Sequence, residues 1–122
     1  MQKVSSASKL ESIESIQSSI RKSEKALAQM SEKGANTTLV KKRLQALRIG
    51  LAMLEKVWNQ TPHHYTQADL TEARKVLIGL YPSIKDIYAK SKAGSPQRTL
   101  LERRIKALEL AVQGIDDYLS NE

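Results

Sequence analysis

Apolar side chains recur at alternating spacings of three and four along nearly the whole chain, which is the period of an α-helix with one buried stripe. Four such stripes are present. The first runs through Ile13, Ile16, Ile20, Ser23, Leu27 and Met30, and the second through Val40, Leu44, Leu47, Leu51, Leu54 and Trp58. The third holds Leu70, Ala73, Leu77, Leu80, Ile84 and Ile87, and the fourth Leu101, Ile105, Leu108, Val112, Ile115 and Leu119. Breakers fall between them. Gly34 can end the first helix, with Asn36 or Thr37 capping the second. Thr61-Pro62 ends the second, and Thr66 followed by Asp69 resembles a capping box for the third. Gly94 ends the third, and Ser95-Pro96 reads as an N-cap with proline at the first helical position. Pro82 lies within the third stripe without shifting its phase, so one helix kinked near Gly79 is expected there.

Short connections between helices of this length spell an all-α, antiparallel four-helix bundle built from two αα-hairpins. The hairpins divide the chain at residues 1–60 and 61–122, within one helical-bundle domain. Between them lies the stretch from Asn59 to Leu70, with His63, His64 and Tyr65 at its middle, which reads as a linker. The hairpins also resemble each other in sequence. The second helix from Thr38 and the fourth from Thr99 align at an offset of 61 residues, with threonine, leucine, arginine and alanine recurring in register. The first and third helices match more weakly at an offset of 57. The register points to an internal duplication, although shared heptad spacing alone produces part of such a match.

The chain has 122 residues, a net charge of +7, no cysteine and 4% aromatic residues without phenylalanine. Disulfides and thiolate metal sites are therefore excluded, and the core must be aliphatic. No signal peptide or membrane-length apolar run is visible, so a cytoplasmic location is expected. The charge is uneven. Residues 36–59 carry five basic and one acidic side chain, residues 85–106 seven and two, and residues 107–122 none and four.

No arrangement of residues calls for chemistry. His63 and His64 are adjacent, whereas helical metal ligands sit three or four apart with further ligands elsewhere. Asp116 and Asp117 face no histidine at useful spacing. No catalytic, metal or cofactor site is assigned, and a non-enzymatic protein is expected. Two surfaces suggest binding. Leu39, Ile49 and Met53 on the second helix and Leu110 on the fourth extend beyond the main stripes. They are expected to form an exposed patch for a homodimer or a partner protein. Lys41, Lys42 and Arg43, with Lys90, Lys92, Arg98, Arg103 and Arg104, gather near the starts of the second and fourth helices. Free N–H groups and the helix dipole favour anions there, so nucleic acid or another polyanion is the alternative partner.

Overall fold

The computed structural model describes residues 3–121. It contains four helices: α1 (Ser6–Glu32), α2 (Thr38–Asn59), α3 (Gln67–Lys90) and α4 (Pro96–Ser120). There is no strand among the described residues. The helix boundaries follow from local chemistry. Ser5 accepts a hydrogen bond from the Ser8 amide and starts α1 two turns before its apolar stripe. Thr66 and Asp69 exchange reciprocal side-chain and backbone hydrogen bonds at 3.1 and 3.0 Å, a complete capping box. Ser95 accepts from the Arg98 amide, with Pro96 opening α4. At α2 the side-chain bond comes from one residue outside the cap, with Asn36 Oδ1 accepting from the Thr38 amide. Gly34 takes the left-handed conformation just past the end of α1, whereas α3 stops at Lys90 with Ser91 as an extended cap, and Gly94, expected to end it, is left-handed in the turn before α4. α2 stops before Thr61-Pro62, at Gln60, whose φ of 57° puts a non-glycine residue in that same region. α3 runs unbroken through Pro82.

Ion pairs and hydrogen bonds fix the register of both hairpins. Arg48 reaches Glu24 at 3.0 Å across α1 and α2. In the second hairpin Arg74 pairs with Asp116 near one end, and Tyr88 donates to Glu102 near the other. α2 packs on α3 and α1 on α4, closing the ring. The ring is not square. α2 and α4 also meet across one diagonal, whereas α1 and α3 do not approach each other. The diagonal pair runs parallel. A methyl group placed on Gly50 would stand 3.3 Å from Ala111 Cβ, and Lys56 Nζ lies 5.5 Å from the Tyr118 ring. Both hairpin turns are therefore at one end of the bundle, with the Gln60–Thr66 linker at the other.

This geometry corrects the expected partner patch. Ile49, Met53 and Leu110 are at most 2% exposed and lie inside the core of the single chain. Only Leu39, 59% exposed, remains on the surface. A central helix with three neighbours needs apolar residues beyond one stripe, and Ala46, Ile49, Met53, Ala107 and Leu110 supply them. Ala46 and Ile49 line the cleft with Ala73 and Val76 of α3, so the wider face of α2 is covered within the chain and these residues offer nothing to a homodimer.

Candidate functional site

The end of the bundle that carries the two hairpin turns holds most of the positive charge. Residues 20–48 and 79–106 contain fifteen of the twenty basic side chains and four of the thirteen acidic ones. The parallel placement of α2 and α4 brings the two sequence clusters to this end together. It does not leave all of their members available. Arg98 packs its guanidinium 4.0 Å from the Tyr88 ring centre. Its Nη1 donates to the Tyr88 and Ser91 carbonyl oxygens at 3.1 and 3.0 Å. Those carbonyls terminate α3, so Arg98 caps the helix and ties it to α4. It is a structural residue, which corrects its assignment to the anion-binding set. Lys90 pairs with Asp86 one turn away, and Arg103 lies 3.6 Å from Glu11. Both pairs are largely solvated and hold their cations weakly.

Lys41 and Lys42 overlook a cleft between α2 and α3 that Asp69 and Glu72 also line, so their field is partly offset. Lys92 is exposed in the turn after α3. Arg43 and Arg104 are arranged differently. They open into one cavity of about 260 Å³ in the gap between α1 and α3, floored by Leu47 and Leu108. No carboxylate lines this cavity, and Lys22 adds a third cation. One wall is polar, formed by Ser19 and Ser23 of α1, and the other is largely apolar, formed by Leu80, Ile84 and Ile87 of α3 with Ser83 among them. Arg104 Nε is buried without a hydrogen-bond partner, and Arg104 also lines a second cleft with Glu11 and Glu14. Sequence reasoning found the two arginines and missed the walls. A signal existed: Ser23 is the single polar member of the first apolar stripe and aligns, at the 57-residue offset, with Leu80.

The histidine linker is built as structure. His63 Nδ1 accepts a hydrogen bond from the Tyr65 amide at 3.1 Å. Its ring packs 5.9 Å from that of Tyr65 and 5.0 Å from that of Tyr118. His64 is exposed. Among the described residues no three histidine, aspartate or glutamate side chains gather as metal ligands would. Tyr81 is displaced from its ordinary range. Burial between α3 and α4 pushes its phenol up to about 12, Glu109 adds to the rise, and Arg74 opposes it. It sits on a flank of α3 away from the arginine cavity's lining.

No helix among the described residues is long and apolar enough to cross a membrane. No protein-family model, curated protein or solved structure matches this chain.

Proposed function

We propose that this chain is a non-enzymatic binding protein of the cytoplasm that engages a polyanion, with nucleic acid as the leading class, through the basic end of the bundle. The observation that carries the reading is the convergence of the α2 and α4 starts, with their cations, at one end. Lys41, Lys42, Arg43, Lys92 and Arg104 are the residues proposed to face phosphates. Fixed positive charge on a rigid scaffold suits backbone contact, and the four tyrosines and one tryptophan leave little for base stacking. Shape-tolerant binding without strong sequence preference follows. The expectation of a helix-face partner interface now rests on Leu39 and its aligned residue Leu100. Both are exposed beside these cations, where they would add apolar contact at the rim.

We also read the two hairpins as copies of one ancestral unit. Leu47 and Leu108, Leu54 and Ile115, and Ala46 and Ala107 are aligned pairs, each buried in both members. The Glu24 and Arg48 ion pair maps onto Tyr81 and Glu109, which interact across the second hairpin. On this reading the basic end is a doubled surface.

Anisotropy of a labelled DNA duplex at rising salt tests the polyanion reading. Phosphate contact predicts an affinity that falls roughly a hundredfold or more between about 50 and 200 mM salt. Lys42→Glu combined with Lys92→Glu should weaken binding strongly, whereas Lys56→Glu with Lys75→Glu, the same charge change towards the linker end, should weaken it little. Equal loss from both pairs, or no binding at low salt, would reject it.

A further inference from the structure

We infer that the cavity between α1 and α3 is a binding site for a small amphipathic organic acid. Its anionic head would lie between Arg43 and Arg104, and its apolar body along Leu80, Ile84 and Ile87. The inference does not rest on the polyanion reading: it shares Arg43 and Arg104 with it, but it concerns a different ligand class and adds the apolar wall of α3.

Four observations carry it. The first is a concentration of charge: Arg43, Arg104 and Lys22 line the space and no acidic side chain does, Glu11 and Glu14 lying in a second cleft that Lys22 and Arg104 also line. Three cations facing one gap repel one another, and an anion seated there relieves that repulsion. The second is an unmet donor, since Arg104 Nε is buried and makes no hydrogen bond. A buried N–H of a charged group is costly to leave unpaired, and a carboxylate oxygen is the acceptor that guanidinium geometry fits best. The third is the division of the walls. Ser19 and Ser23 put hydroxyl groups on the α1 side, while three aliphatic side chains, with Ser83 as the one hydroxyl among them, stand opposite on α3. A phosphodiester backbone gains nothing from an aliphatic wall, whereas an alkyl or aryl body does. Ile87 is 45% exposed, so part of this wall is apolar surface in contact with water. The fourth is shape. α1 and α3 do not approach each other, so the gap is open from outside, and Leu47 and Leu108 close it at the core. Its volume of about 260 Å³ lies near the lower limit for small-molecule pockets, which favours a short ligand.

Decanoate and decanol share an apolar chain and differ in charge, which makes them the probes. Calorimetry of the full chain should show saturable, one-to-one binding of decanoate, with decanol weaker by about tenfold or more. Arg43→Gln and Arg104→Gln should each lower decanoate affinity about tenfold and leave the response to decanol unchanged. Arg43 is exposed, so its replacement keeps the fold, and circular dichroism verifies that for both variants. Ile84→Trp, which fills the apolar side, should abolish decanoate binding and leave duplex binding as it was. Equal binding of the two probes overturns the inference, as does wild-type affinity in Arg104→Gln or the absence of saturable decanoate binding. Loss of duplex binding in Lys42→Glu with Lys92→Glu, decanoate binding being retained, shows the two sites to be separate.

Discussion

Ile49 shows how much the surroundings of one residue decide. Its position opposite the main stripe suggests a surface residue, yet it is 2% exposed between α2 and its neighbours. The substitution Ile49→Glu therefore separates two outcomes. On the surface of a dimer it would yield a folded monomer. In the core it places a carboxyl group where no partner waits, at a cost of roughly 4 kcal/mol or more. We expect loss of helical circular dichroism or a midpoint lowered by tens of degrees, and no folded monomer. Tyr81 offers a second test at this scale. Its folded-state value of about 12 lies above the unfolded value of about 10. Below about pH 10 both states keep the proton, and the stabilisation from the protonated phenol is complete. Between about 10 and 12 the unfolded chain releases a proton that the folded chain retains, so stability declines across that window. Absorbance titration should show one phenol ionising at about 12 that is missing in Tyr81→Phe. Denaturation of that variant should also lose part of the decline in stability.

The elements were largely legible in the sequence, and the contacts between them less so. Periodicity and capping residues announced all four helices because both signals are local. Thr66 with Asp69, and Ser95 with Pro96, act where they were expected. What periodicity cannot report is which neighbour covers a second apolar face. A wide stripe reads the same whether a diagonal helix or another chain buries it, and the residue that decides is small. Gly50 and Ala111 let α2 and α4 come close enough to meet. Gly50→Val should therefore drive the diagonal apart and destabilise the chain by about 1–3 kcal/mol, measured by urea denaturation. Arg98 was misread for a related reason. An arginine in the first turn of a helix looks like an anion contact, and only the fold brings the last carbonyls of α3 beneath it. Arg98→Ala should cost about 1–2 kcal/mol and speed amide exchange in the last turn of α3, with little effect on duplex affinity at a given salt.

At the scale of the whole molecule, the parallel course of α2 and α4 turns a charge pattern along the chain into one along an axis. Residues 20–48 and 79–106 hold fifteen basic and four acidic groups, and the remainder of the chain five and nine, of which Glu11 and Glu14 also reach this end beside Arg103 and Arg104. A helix of 24 residues such as α3 spans about 36 Å, several times the roughly 8 Å over which charges are felt in physiological salt. Carboxylates at the far end are therefore screened from the cations, while Glu11, Asp69 and Glu72 share clefts with them and offset part of their field. Under the proposed polyanion contact the molecule meets a negatively charged surface in a preferred orientation, with its turns towards that surface and the His63 and Tyr65 linker pointing away. A neighbouring copy can stand beside it in the same orientation, and each occupies only the cross-section of four helices.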